Sequence, residues 1–188
     1  ALRGCFKRVT GPPHPQRNQQ FKYIAKQKEK FCQKGQPVIS TDTKKKELIG
    51  NFANDGRTWG QKAKEVNAHD FRQDASARAV PYGVYDIQRN EGHVHIGVSG
   101  DTPRFAVEAI RRWWETDGQH AYPKATQLLL LCDAGGSNSY RARAWKYHLQ
   151  HLLADPFGLT LNVSHFPTGA SKWNPVEHRL FGPISINW

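Results

Sequence analysis

An α/β domain, a mixed five-stranded sheet flanked by helices, is the fold that the sequence predicts. Three observations predict it. Five short β-rich segments recur along the chain, one of them a continuous apolar run of the kind buried on both faces of a sheet. Between them lie segments whose apolar residues repeat with helical period. Their order is strand, insertion, two strands, then helix and strand in alternation, ending in a helix. The chain has 188 residues, 38% of them hydrophobic and 11% aromatic, enough for the core of one domain and too rich for a disordered chain.

The segment from Gln16 to Gln33 is rich in Lys and Gln, with Phe21, Ile24 and Phe31 at loose helical spacing, which predicts a weakly packed helix stopped by Gly35. In the following QPVISTDT, period-two alternation places Val38, Ser40 and Asp42 on one face and Ile39 and Thr41 on the other. Residues 44 to 79 show little periodicity and read as a long, partly irregular insertion. YGVYDI (82 to 87) and HVHIGV (93 to 98) read as strands of a hairpin, with Asn90 and Gly92 in the connection. Thr102 suits a cap and Pro103 a first helical position for a helix with Phe105, Ala106, Ala109, Ile110, Trp113 and Trp114 on one stripe. TQLLLLCD is the doubly buried strand. A helix from about Ser139 to Leu153 should end at Asp155, Pro156 and Gly158, and LTLNVSHF (159 to 166) leads to a last helix starting near Asn174. Right-handed crossovers where strands run parallel complete the element order of the RNase H-like fold.

The net charge is +11, and +8 of it falls within residues 1 to 36, where nine Lys or Arg face only Glu29. The sequence therefore divides into a basic, partly helical arm (1–36) and a catalytic-size domain (37–188). Such an arm gains affinity for a phosphate backbone by counterion release. No stretch approaches the roughly 20 apolar residues of a membrane span, and the start lacks a signal-peptide core, so a cytoplasmic location is expected. Cys5, Cys32 and Cys132 lack metal or disulfide spacing and are expected to be reduced, with Cys132 buried. The chain has no Met, and GPISINW stops within an apolar segment, so truncation at both ends is expected.

Asp42 and Asp133 end strands that this topology makes parallel neighbours, so their carboxylates should lie side by side. Close anions raise one another's pKa unless a cation joins them, and a hard divalent ion prefers such oxygens. Glu177, on the last helix, is the third candidate. A triad of this kind could hold two metal ions that stabilise the attacking and leaving oxygens of a phosphoryl displacement. Each acid also has a plainer reading. Asp42 and Asp133 could be turn formers, and Asn174, Pro175 and Glu177 fit a capping box.

The segments QPVISTDTKKKELIGNF, AVPYGVYDI, FAVEAIRRWW, CDAGGSNSYRARAWK and GASKWNPVEHRLFGPIS resemble the DDE domain of the Rhodopirellula-type transposases, the ISAzo insertion-sequence family, over nearly the whole chain. The resemblance implies that Asp42, Asp133 and Glu177 form a triad binding two Mg²⁺ or Mn²⁺ ions. It further implies cleavage of DNA at element ends and joining of the 3′-hydroxyl to target DNA. A homodimer or larger assembly at the synapsed ends, in the bacterial cytoplasm at the nucleoid, goes with that activity. Asn-Pro before the Glu is also similar to the tail motif of mariner-like transposases.

Lys44, Lys45, Lys46, Lys172, His178 and Arg179 flank the acids and are the expected DNA contacts. Trp173 reads as a core residue, with base stacking as its functional alternative. Gly135 to Asn138 could present backbone N–H groups to a phosphate at a helix start, although no nucleotide P-loop continuation follows. His93 and His95 share a strand face, but no third ligand completes a zinc site. Two further functions compete with transposition: a DNA-binding transposase remnant, and an RNase H-like nuclease that cuts without joining.

Overall fold

A computed structural model describes residues 15–53, 60–68, 72–98, 100–170 and 173–187. Helix α1 (Arg17–Gln33) precedes strand β1 (Val38–Thr43), and β2 (Glu47–Ile49) follows within the insertion. Strands β3 (Ala77–Asp86) and β4 (Glu91–Gly97) form the expected hairpin. Helix α2 (Pro103–Trp113) continues through a π-helical turn at Trp114–Gly118 and ends at Gln119–Ala121. Strand β5 (Gln127–Cys132) leads to helix α3 (Arg143–Leu149), extended by Gln150–Ala154 and Asp155–Phe157. Strand β6 (Thr160–His165) is followed by a π-helical turn at Glu177–Phe181 that opens helix α4 (Gly182–Asn187).

Among the described residues the mixed sheet has six strands, one more than expected. The addition is β2, three residues of the insertion that pair antiparallel with the start of β3. β1 pairs antiparallel with β3 and parallel with β5, and β5 pairs parallel with β6. β3 begins five residues before the expected start and carries Pro81 inside it. That proline is tolerated because β1 ends beside it at Thr43↔Tyr82, and its carbonyl accepts from the Lys44 amide at 2.9 Å.

Both faces of β5 are covered. Leu128, Leu130 and Cys132 pack with Ile39, Tyr82 and the apolar stripe of α2, together with Trp145 and Leu149 of α3. Leu129 and Leu131 pack on the opposite face with Val38, Phe166 and the Ile24 and Phe31 side chains of α1. Alternation along β1 and β5 produces this partition, and α1 is thus part of the core. Cys132 is buried as expected, whereas Cys32 is exposed and Cys5 lies outside the described residues.

Local chemistry fixes the ends. The Thr102 hydroxyl accepts from the Phe105 amide at 3.2 Å, with Pro103 in the first turn of α2. In the β3–β4 turn Asn90 has φ 58°, and the buried Asp86 carboxylate accepts from the Gln88 and Arg89 amides at 3.0 and 3.2 Å. Helix α3 starts later than expected, because the 3₁₀ turn at residues 136–138 is followed by a further turn in which the Ala142 amide donates to the Ser139 carbonyl. It also runs past Asp155 and Pro156, with the proline in the first turn of the closing segment Asp155–Phe157. Gly158, at φ 62°, ends it.

The last helix reaches the sheet because glycines lie beneath it. A Cβ at Gly83 would stand 2.7 Å from both Phe181 and Val176, and one at Gly92 would stand 2.6 Å from Leu180. Overfilling such a contact costs about 1–3 kcal/mol. Gly83→Ala is therefore expected to lower stability by about that amount in urea unfolding. Gly60→Ala, whose added carbon would meet only a carbonyl at 3.5 Å, should change it by less than about 0.5 kcal/mol. Equal effects from the two would show that the approach of the helix does not depend on Gly83.

Candidate active site

The β1–β5 register positions the first two acids. Val38 is level with Leu129, Ser40 with Leu131 and Thr41 with Cys132. One residue further along each strand stand Asp42 and Asp133, side by side and on the face crossed by the last helix. Gly83 is the antiparallel partner of Asp42, so the missing side chain that admits Val176 and Phe181 lies beside the first acid.

Asp42 is held at both oxygens. Oδ1 accepts from the Thr43 amide at 2.8 Å, and Oδ2 accepts from Nδ2 of Asn174 at 2.9 Å. Asn174 is 1% exposed, and its Oδ1 accepts from the Ser40 hydroxyl at 2.6 Å. This arrangement corrects the capping-box reading, because the Asn174 side chain is committed to β1 and not to the helix start. Asn174 instead ties the Glu177 turn to the strand bearing Asp42. The even spacing of Ser40 and Asp42 is what lets one amide reach both.

Burial pushes the Asp42 carboxyl from its ordinary 3.8 up to about 7; the charge of Asp133 and then that of Glu177 push the same way, against the Thr43 amide. Burial likewise raises Asp133, whose Oδ1 accepts from the Gly135 amide at 3.3 Å. His165 opposes that rise and Asp101 adds to it. The other two expected acids thus both bear on Asp42. Among the described residues, however, no three His, Cys, Asp or Glu side chains converge as a ready-made ion site. The donor chemistry fits hard divalent ions: oxygen ligands, like-charged and partly desolvated, whose repulsion a cation relieves.

Sequence reasoning missed two neighbours. Asp101, just before the α2 cap, accepts from the Thr43 hydroxyl at 3.1 Å, and nothing in its spacing marks it out. His165 is level with Cys132 and contacts the Asn138 carbonyl at 2.8 Å, while Tyr82 donates to Asn138 Oδ1 at 2.8 Å. Gly135 to Asn138 is therefore a braced loop and does not open directly into α3, contrary to the helix-start reading.

The flanking cations divide. Lys44 is paired with Glu47, and its side chain is only 15% exposed. Lys45, Lys46, His178 and Arg179 are exposed, and Arg179 donates to Asn90 Oδ1 at 3.4 Å on the hairpin turn. Lys172 lies outside the described residues. Trp173 is not a core residue: it is 47% exposed, with the Arg17 guanidinium 5.3 Å from its ring and Phe21 5.2 Å away. His93 pairs with Asp117 at 3.4 Å, and among the described residues no group of three His, Cys, Asp or Glu side chains that could hold a metal forms around it and His95.

The raised Asp42 pKa has a definite sign in stability. The folded state holds the proton more tightly than the unfolded chain, so stability is greatest below the unfolded value and falls as pH rises towards about 7. Melting temperatures in chelator should drop between about pH 4 and pH 7, and Asp42→Asn should flatten that drop. An unchanged pH slope in the variant would refute the assignment.

Comparison with known proteins gives the chain its relatives. It is similar in structure to the Mos1 transposase paired-end complex with left transposon end, at a TM-score of 0.58 and 11% identity, covering 100% of this chain and 55% of that one. The Mos1 mariner paired-end complexes with Mn and with Mg give TM-scores of 0.55 and 0.53 at 10% and 15% identity, covering 98% and 97% of this chain and 52% and 53% of theirs. The chain thus spans about half the length of these transposases, and at such identities the likeness shows the RNase H-like fold. No curated protein matches the sequence. The family of the Rhodopirellula transposase DDE domain matches residues 1–188, and the chain belongs to that family.

Proposed function

We propose that the chain cuts DNA at the ends of a mobile element and joins the freed 3′-hydroxyl to target DNA, with Asp42, Asp133 and Glu177 as its catalytic carboxylates. The observation that supports this reading best is that Asp133, at the end of β5, and Glu177, in the last helix turn, both bear electrostatically on Asp42 of β1. Chemically the two steps are one displacement used twice. In the first, a water oxygen bonds to phosphorus as the bond to the 3′-oxygen breaks, and that oxygen leaves as a hydroxyl. In the second, the 3′-hydroxyl attacks a target phosphate and displaces another oxygen.

The three carboxylates would hold two Mg²⁺ or Mn²⁺ ions, which when bound supply charge stabilisation to the entering and leaving oxygens. The chain's own residues do the positioning. Thr43 and Asn174 fix the Asp42 carboxylate, Gly135 holds one Asp133 oxygen, and Gly83 allows the Glu177 turn to approach the sheet. Lys45, Lys46, Lys172, His178 and Arg179 are proposed phosphate contacts, joined by the basic arm in residues 1–36. Lys44 would take part only by leaving Glu47. Pairing of two DNA ends would call for at least two copies of the chain. Among the described residues no helix is long and apolar enough to cross a membrane; action on DNA would place the chain in the bacterial cytoplasm.

On end-bearing duplex DNA with Mg²⁺, alanine at Asp42, Asp133 or Glu177 should each reduce strand cleavage by roughly 10³-fold or more, and chelation should abolish it. Cleavage undiminished in Asp133→Ala would sink the mechanism. Asn174→Ala leaves Asp42 and Ser40 without their partner, at a cost of about 1–3 kcal/mol in stability. Asn174→Asp adds another anion beside Asp42 and should be the more damaging in metal-free melting, with excess Mn²⁺ narrowing the gap. Equal melting of the two variants under all conditions would contradict that role.

A further inference from the structure

Trp173 stands directly before Asn174, the residue whose amide holds Asp42, and is 47% exposed. An indole carries a large apolar surface, and a folded chain ordinarily covers most of it. The ring is braced from α1. Phe21 lies 5.2 Å from it, tilted by 51°, and itself packs on the core cluster of Val38, Leu129 and Leu131. The Arg17 guanidinium lies 5.3 Å from the indole and 5.9 Å from the Phe21 ring, and it donates to the Gly169 carbonyl at 3.4 Å. Among the described residues no carboxylate pairs with it. Two rings and a carbonyl thus hold a cation that has no counter-charge, beside a half-exposed aromatic and close to the residue bonded to Asp42.

We infer that Trp173 and Arg17 hold the DNA strand beside the acids: the indole stacks on the base next to the phosphate being cut, and the guanidinium contacts a phosphate of the same strand. The inference deepens the transposase reading and rests on it. An exposed ring beside an unpaired cation fits a ligand that is both flat and anionic, which is a nucleotide. A neutral aromatic molecule would leave Arg17 unused, and a bare anion would leave the indole unused. Chain connectivity puts the pair in the path of the strand, because Trp173 and the residue bonded to Asp42 are consecutive. Every base has a π-face, so stacking positions the strand without reading its sequence. Inside a duplex both faces of a base are already covered, so Trp173 would take a base at a strand end or one drawn out of its stack. Arginine suits the other half of the contact, since a planar guanidinium can lie on a ring while its N–H edge meets a phosphate, which a lysine ammonium does not reproduce.

The test is photo-cross-linking of the full chain, without divalent metal, to end-bearing duplexes that carry 5-iodouracil at successive positions around the end, because that base cross-links to an aromatic ring stacked on it. The expected product joins Trp173 to the base beside the cut and fades at positions further along. Trp173→Ala should weaken binding of such ends by about 5- to 100-fold, and Trp173→Phe, which keeps a ring, should restore most of it. Arg17→Gln should lower the slope of log affinity against log salt by about 1, and Arg17→Lys should restore the slope without restoring the full affinity. The pH dependence of melting in chelator, which reports on Asp42, should stay unchanged in each. Absence of a cross-link to Trp173, full binding by Trp173→Ala, or a Phe variant no better than the Ala variant overturns the proposal. So does weakened binding with an altered pH dependence of melting, since Trp173 would then act through Asn174. Triad-dependent cleavage without the cross-link would defeat the strand contact alone; the cross-link without any cleavage would support the contact and defeat the catalytic reading.

Discussion

The parallel pairing of β1 with β5 is the constraint on which the rest of the site depends. It makes two residues 91 positions apart in the chain level neighbours and sets the same face of both strands towards the last helix. A slip of one residue would turn Asp42 or Asp133 to the opposite face, among the side chains of α2. The register is held by burial on both sides: Leu128 and Leu130 on one face and Leu129 and Leu131 on the other cannot exchange environments without moving every neighbour. The apolar run that looks like plain core in the sequence is therefore what sets the acids in position.

On that frame, the acid cluster is electrostatically unfavourable in the absence of a counter-charge. Burial and like charge disfavour the ionised form of Asp42, and Thr43 and Asn174 are its immediate hydrogen-bond donors. Asn174 is well suited to this place because an amide can donate to a carboxylate while accepting from Ser40. A carboxylate there could not donate, and an alanine could do neither. The tie also couples chain segments 132 residues apart, so the last helix is anchored through a polar contact as well as through the Val176, Phe181 and Tyr85 contacts.

Much of this was legible in the sequence, for identifiable reasons. Alternation in QPVISTDT gave the faces of β1, the apolar run gave β5, and Thr102-Pro103 gave the start of α2, because each depends on local rules. β2 was hidden, since three residues carry too little pattern to stand apart from a polar insertion. The early start of β3 was masked by Pro81, whose acceptability depends on where β1 ends. Asn174 was legible as a helix-start residue but not as a ligand of Asp42, because capping is local whereas its actual partners are set by tertiary approach. Trp173 was misassigned for a similar reason: aromatic residues are usually buried, and only the packing of α1 leaves this one half outside, against Arg17.

The seating of α1 bears on how the basic segment can be studied. Ile24 and Phe31 are inserted among Val38, Leu129, Leu131 and Phe166, so the positive charges of this helix ride on a rigid support and keep fixed positions relative to the acids. Trimming the chain at residue 37 would strip one face of the sheet of its cover and turn a question about charge into one about solubility. Neutralising the exposed lysines in place, while leaving the two apolar anchors intact, separates the electrostatic contribution of the helix from its structural one.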